Sequence, residues 1–578
     1  MLTLLLSWLI MAAVTTVVGR AAWSWLRSKG LPDTEQTLPL EWLSLLGLCV
    51  LAPIVGGISL SWAISANIQL VIAVSALALM VTQRKEIAAN FRQGWQAFIH
   101  PGNRYLLLAG FAILGVLGIR LLHQSTLAPA NFDSGLYHFQ TLKWLNEYPT
   151  VPGLGNLHGR LAFNSSWFPL LSLFRYGSPV GPIYGLGGFL YLLLLGALVR
   201  AAVGAGRGSR AAWALPLLFF LLLWSFQIWL SSPTPDYVLP VLLIFAFLRY
   251  ARKWELGNGR RFDADTVLVG LVILLAVTIK LSALPALLLP LHSLWASRGA
   301  MARRHWLLGA GLVFCMLTPW LVRGILLSGY LIYPAAALDW INVDWKIPLA
   351  SVQKEQYMIT NVGQWTTHPT CLPPHQTLGQ WVPHWWLTQS NFMRGVMLLA
   401  AGSVVPAIIR WRKFPSHEIG WAIGWLTAWL GGFFWFWAAP DYRFGVGFLL
   451  IAGFWPWLNL APTRPHSGVV AWLPILLTLA WGLHSLRDPL YQIRTQPQAF
   501  AHRLLWPASA PTVPTLPLKP SKNLVVRVPQ VGIQCWNAPL PCATCPQIEV
   551  EMRGTTLSQG FRPPPAPTGR MCCLEAPE

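Results

Sequence analysis

The densest group of polar side chains in the 578 residues is the run Asn131-Phe-Asp133-Ser-Gly-Leu-Tyr137-His138-Phe-Gln140, with His158, Arg160 and Asn164 following closely. A carboxylate, two imidazoles, a guanidinium and an amide beside one apolar run are groups that move protons and hold anions. Asp133 comes after Pro129, and Ser134 to Glu147 can form a helix lying on a membrane surface, with Tyr137, Gln140 and Trp144 recurring at helical spacing. A carboxylate at the start of that helix would accept hydrogen bonds from its first free amides, which accounts for Asp133 as a cap. It does not account for His138, His158, Arg160 and Asn164.

The elements that hold these residues must be membrane helices. Hydrophobic types make up 54% of the chain and charged ones 11%, less than half the roughly 25% usual in soluble domains. The apolar residues fall in runs long enough to cross a hydrocarbon core of about 30 Å as helices. Spans are expected near 2–19, 42–62, 67–82, 105–122, 180–199, 211–230, 237–249, 266–279, 281–297, 306–327, 394–410, 418–438, 444–460 and 468–486. That is an all-α polytopic integral membrane protein with about fourteen transmembrane helices. The stretch from Asp265 to Ser297 is short for two full crossings and reads as two short tilted helices meeting near Lys280. The first span, which lacks a basic flank and a small-residue cleavage site, reads as retained.

Net charge is +21, with 41 Lys and Arg against 20 Asp and Glu. In a soluble protein that excess would point to nucleic acid; here its placement excludes that reading. More than half of the basic residues lie in alternate short connections: Arg20 to Lys29, Arg84 to Arg104, Arg200 to Arg210, Arg249 to Arg261, Arg298 to Arg304, Arg410 to Lys413, and Arg464. The positive-inside rule puts those connections in the cytoplasm. The segments 123–179, 231–236, 328–393, 439–443 and the tail after 486 then face outward. Ionisable residues at mid-depth, the usual mark of ion-coupled transport, are almost absent apart from His292. The polar residues gather at the outer face, a layout that suits a reaction there.

Five regions follow: a three-span N-terminal extension (1–104), a core with the first outer loop 123–179 (105–330), an outer Trp- and His-rich loop (331–393), C-terminal spans (394–486), and an extracytoplasmic tail (487–578). The loop carries Trp340, Trp345, Trp365, His368, His375, Trp381, Trp385 and Trp386, flat faces that suit sugar or lipid as well as an interfacial belt. The tail is rich in proline, and Lys522 to Ile533 reads as one or two short strands in a small appendage. Cys49 and Cys315 lie inside apolar runs and read as packing residues. An oxidising exterior favours a disulfide such as Cys535 to Cys542 over a metal site, because four spaced ligands with a His partner are missing. Neither a Walker A loop, a His-Glu-x-x-His motif nor a dinucleotide fingerprint occurs.

An Asp in the first large outer loop, on an amphipathic helix after a span, resembles the GT-C superfamily of membrane glycosyltransferases. The segment from Asp133-Ser-Gly-Leu-Tyr-His138 to Pro152-Gly-Leu-Gly-Asn-Leu-His-Gly-Arg160 is more similar to an uncharacterised group of bacterial multi-spanning proteins with the same loop. The likeness continues in Ser232-Pro-Thr-Pro-Asp236, Thr278-Ile-Lys280-Leu-Ser282, Pro319-Trp-Leu-Val-Arg323, Ser328-Gly-Tyr330-Leu-Ile-Tyr-Pro334 and Pro440-Asp441-Tyr-Arg443-Phe. It covers about 105–460 and includes the Cys535-to-Cys542 segment. Three spans precede the one aligned with the usual first span, and Asp133 has no paired Asp beside it.

The resemblance implies a GT-C-like fold in a bacterial plasma membrane and transfer of a sugar from a polyprenyl-phosphate-type lipid donor to an acceptor on the periplasmic face. A carboxylate is the usual base for the acceptor hydroxyl, and motif match gives that role to Asp133, with His138 beside it as a second catalytic group. The leaving phosphate needs cations as charge builds on it; Arg160, Lys280, Arg323 and Arg443 are the candidates, with Tyr330, Asp236 and Asp441 completing the binding set. A divalent cation, Mg or Mn, near Asp133 is a further implication. The alternatives are a flippase or transporter of lipid-linked glycans, which needs a polar cavity and broken helices at mid-depth, a ligase or polymerase of surface polysaccharide, and a noncatalytic scaffold.

Overall fold

The computed structural model describes residues 1–31, 38–99, 104–179, 181–204, 211–364, 376–411, 419–457, 473–521, 523–544 and 548–565. Trp365, His368, His375, Arg464, Lys522, Cys545, Cys572 and Cys573 lie outside those residues. The described residues are mostly helical, and among them two small two-stranded sheets lie in the tail. Among the described residues, eight helices are long and apolar enough to cross a membrane: Leu2–Ser28, Leu40–Ser61, Ala66–Asn90, Arg104–Gln124, Leu186–Gly204, Arg303–Ser328, Asn391–Ile409 and Ile419–Ala438. Helical segments also occupy the remaining apolar runs, in shorter form: Ala211–Phe226, Val238–Glu255, Ala264–Ile279, Leu288–Ser297, Tyr442–Phe454 and Leu473–Ser485.

Close approach of backbones sets the packing of the first two helices. A side chain at Gly19 would lie 1.8 Å from the Leu43 carbonyl oxygen, and one at Gly47 would lie 1.9 Å from that of Thr15. In lipid, helix association rests on such small-residue contacts and on hydrogen bonds across the seam; here Thr16 and Ser44 hydroxyls meet at 2.8 Å. These helices share the main core: Trp8 donates to the Gly185 carbonyl at 2.8 Å, and Arg200 pairs with Glu41 at 2.6 Å. At the basic ends of the helices, Arg249 pairs with Asp265, and Lys253 with Asp263, in nearly complete burial. These cations therefore meet their counter-charges inside the protein.

The break expected near Lys280 is present. Helix Ala264–Ile279 ends at Lys280, whose backbone is extended, and a 3-10 segment Leu281–Leu287 with Pro285 inside leads into Leu288–Ser297. A proline lacks the amide needed to continue the ladder, and the extended residue turns the Lys280 side chain away from the helix axis. One packing expectation is corrected: Cys49 is buried, but Cys315 is exposed on the surface of Arg303–Ser328. A helix that gives only one narrow face to its neighbours leaves such a residue toward lipid.

The tail folds back over the loop that carries Asp133. Strands Thr515–Ser521 and Leu524–Pro529 pair antiparallel, and the structure holds a disulfide between Cys535 and Cys542. Trp536 donates its amide to the Gly135 carbonyl at 2.8 Å, and its ring fills the space where a side chain at Gly135 would lie. Gln140 donates to the carbonyls of Trp536 and Ala538, both at 3.0 Å. Further along, Phe561 donates to the Pro152 carbonyl and packs edge-on against Trp144. Trp536→Ala is expected to free this cover, so limited proteolysis of the folded protein should cut near 534–541 several times faster; an unchanged cleavage rate would contradict the docking.

Candidate functional site

The approach to Asp133 is pinned by the turn that carries Asp236. Ser232 Oγ accepts from the amides of Ala130 and Asn131, both at 3.1 Å, and Tyr237 donates to the Ser232 carbonyl at 2.8 Å. From Ser134 to His138 the chain forms a π-helical turn before continuing as the α-helix Phe139–Glu147. Such one-residue widenings are rare and occur often at functional sites. The far end of the loop is tied in turn: Thr150 donates to the Ser59 carbonyl, and the Ser166 amide to that of Thr278, two residues before Lys280.

Asp133 is not spent as a helix cap; its side chain makes no capping bond. Its two oxygens instead accept from Arg160 at 2.7 Å and from Arg443 at 3.1 Å. Arg443 also reaches Asp236 at 3.3 Å and Asp441 at 2.9 Å. Lys280 pairs with Asp236 and lies 3.4 Å from the centre of the Phe444 ring, while Arg160 is 3.5 Å from Glu355. Five chain segments far apart in sequence thus meet in one cluster of four carboxylates (Asp133, Asp236, Asp441, Glu355) and three cations (Arg160, Lys280, Arg443). Arg443 is its hub because a guanidinium presents several donors in a fixed plane, and Asp441, the N-cap of Tyr442–Phe454, fixes its first bend.

Burial by itself would raise the Asp133 carboxyl, but Arg160 and Arg443 outweigh it and hold the group well below the ordinary carboxylate range. Asp236 is lowered too: burial opposes, and Lys280 with Arg443 prevails. His138 is buried beside Asp133, 1% exposed, between the rings of Tyr137 and Phe168, with Nδ1 3.3 Å from Ser134 Oγ and Nε2 without a partner among the described residues. Burial pushes its pKa down to about 4. Its effect on stability follows from the sign of that shift. Above the ordinary value of about 6.5 both folded and unfolded forms are neutral; as pH falls toward 4, only the unfolded chain takes the proton. Acidification from pH 7 to 4.5 should therefore cost about 2–3 kcal/mol at this residue. His138→Gln should lose that much less in thermal unfolding over the same interval, and an equal loss would contradict the buried neutral imidazole.

Two of the expected phosphate ligands lie elsewhere. Arg323, 3% exposed, donates to Asn164 Oδ1 at 2.8 Å, and no contact joins it to the charged cluster among the described residues. Tyr330 is fully buried, with its hydroxyl donating to the Ile347 carbonyl at 3.1 Å. Glu355, in the Trp- and His-rich loop, is a member that the sequence does not single out; the helix Leu349–Val362 brings it to Arg160. The only sequence signal was that it is one of few acids in that loop.

The carboxylates do not form a divalent-cation site. Each already faces an Arg or Lys, and no group of three or more His, Cys, Asp or Glu able to hold a metal ion occurs among the described residues. Water can complete the shell of such an ion, but the carboxylates that would anchor it are here paired with cations.

No curated protein and no solved structure matches the chain. A family model described as "Domain of unknown function (DUF8201)" matches residues 1–450, the region that contains every member of the charged cluster. The chain therefore belongs to the DUF8201 family.

Proposed function

We propose that this protein is a membrane glycosyltransferase of GT-C type, with about fourteen crossings, that moves a sugar from a polyprenyl-phosphate-type donor to an acceptor at the extracytoplasmic face. The observation that carries this reading is the convergence on Asp133 of Arg160 and Arg443, with Lys280 and Asp236 behind them.

The charge balance sets the order of events. Four carboxylates already saturate three cations, so a donor phosphate can bind only by taking Arg443 or Arg160 from its carboxylate. That exchange removes the cations that depress Asp133 and raises its pKa, turning an ion-pair partner into a base. Asp133 then accepts the proton of the acceptor hydroxyl while that oxygen attacks the anomeric carbon. The bond between that carbon and the phosphate oxygen breaks, and its electron pair leaves on the phosphate, held by the arginines. A single displacement of this kind inverts the anomeric centre.

A second reading, a flippase or transporter for lipid-linked glycans, draws on the same excess of carboxylates, which suits a cationic or protonic partner as well as a gated base. The two separate on product chemistry. Purified protein in proteoliposomes with a polyprenyl-phosphate sugar and acceptor-bearing membrane extract should release polyprenyl phosphate in step with glycosylated acceptor. Movement of intact donor between leaflets without cleavage would favour transport.

A further inference from the structure

At the same membrane face as Asp133, but sharing no residue with its cluster, a cavity of about 750 Å³ opens between the ends of helices Arg104–Gln124 and Leu473–Ser485, the turn Gln227–Trp229 and the short helix Arg487–Thr495. We infer that it is a binding site for the phosphate headgroup of an anionic phospholipid.

Its floor is Arg120, 4% exposed, held by the Ser485 carbonyl at 3.0 Å, Gln227 at 2.9 Å and Asp488 at 2.8 Å. Beside it His123 is fully buried, bonded through Nε2 to Gln492 at 3.1 Å, and its Nδ1 has no partner among the described residues. Arg487 and Arg494 line the cavity and are exposed, and neither meets an acid among the described residues. With three arginines against one aspartate, the cavity carries a surplus of two positive charges, unlike the Asp133 cluster. An arginine at an anionic lipid surface contributes about 1 kcal/mol of attraction.

The rim selects lipid over a free anion. Leu490, Tyr491 and Ile493 on the same short helix are 57%, 67% and 43% exposed, beside Arg487 and Arg494. An apolar set flanked by arginines is the pattern of a helix lying in the headgroup layer, which places acyl chains against the rim while the phosphate reaches the arginines. The volume lies in the range of small-molecule sites, about 300–1,000 Å³, and admits a glycerophosphate headgroup.

The test uses the full-length protein in detergent, titrated with phosphatidylglycerol, phosphatidylcholine, or sn-glycerol 3-phosphate, with retained ligand counted by native mass spectrometry. Wild type is expected to retain phosphatidylglycerol at least tenfold better than either comparator. R487Q/R494Q should lower that affinity by roughly fivefold per arginine removed. Asp488→Asn should raise it, because a competing carboxylate is gone, and this opposite sign is one that mere loss of folding cannot produce. Equal retention of phosphatidylcholine, equal binding of soluble glycerol phosphate, or affinity unchanged in R487Q/R494Q would each overturn the inference.

Discussion

Arg443→Met should lower stability by about 3 kcal/mol, toward the lower end of what removing one partner of a buried ion pair costs because the side chain is 22% exposed. The variant leaves Asp133, Asp236, Asp441 and Glu355 facing only Arg160 and Lys280, so like charges that were separated become neighbours. Asp133 and Asp236 lose a cation that holds them ionised, and their pKa values rise. Arg443→Lys should recover only part of the loss, since one ammonium cannot span the three carboxylates that the guanidinium meets through Nε and Nη1. Combining Arg443→Met with Asp441→Asn should restore more, because the repulsion falls with the partner. Thermal unfolding of the four proteins in one detergent checks this, and an Arg443→Met protein as stable as wild type would remove the hub from the account.

The second large effect falls on turnover rather than folding. Asp133→Asn keeps the size of the side chain and one oxygen to accept from Arg160, but it has no lone pair basic enough to take a proton from an acceptor hydroxyl. Loss of a positioned base costs typically 10²- to 10⁴-fold, so transfer should fall by about that factor while expression and insertion are kept, and the fold should lose part of its stability because both arginines lose a charged partner. The two variants differ in donor binding: Arg443→Met lowers it, whereas Asp133→Asn leaves it undiminished, because a competitor for the arginines is gone. Asp133→Glu should also be poor, since a carboxylate displaced by one methylene cannot meet both Arg160 and the acceptor at the same time.

Why part of this was legible in the sequence and part was not follows from the geometry of helices. An ionisable residue at the end of an apolar run has few places to go, so Asp133, Asp236, Lys280, Asp441 and Arg443 could be assigned to one face of the membrane from position alone. Which side of a helix a residue occupies relative to distant neighbours is another matter. Arg323 stands near the end of Arg303–Ser328 as expected, yet its guanidinium turns to Asn164, and Tyr330 turns inward to Ile347. Glu355 and Trp536 were hidden for the converse reason, that their partners lie far off in sequence: Arg160 for the first and Gly135 for the second. The break at Lys280 was legible because it comes from local chemistry, a run too short for two crossings with Pro285 inside it. The fold-back of the tail over Gly135 was not, since nothing in a glycine announces the indole that fills its empty side.

The role of Asp133 is tested by a single-turnover assay with purified protein in proteoliposomes, following release of polyprenyl phosphate from a radiolabelled polyprenyl-phosphate sugar in the presence of acceptor. Wild type should release it, and folded Asp133→Asn should bind the donor with undiminished affinity and release it at least a hundredfold more slowly. Release by Asp133→Asn at the wild-type rate would contradict the account.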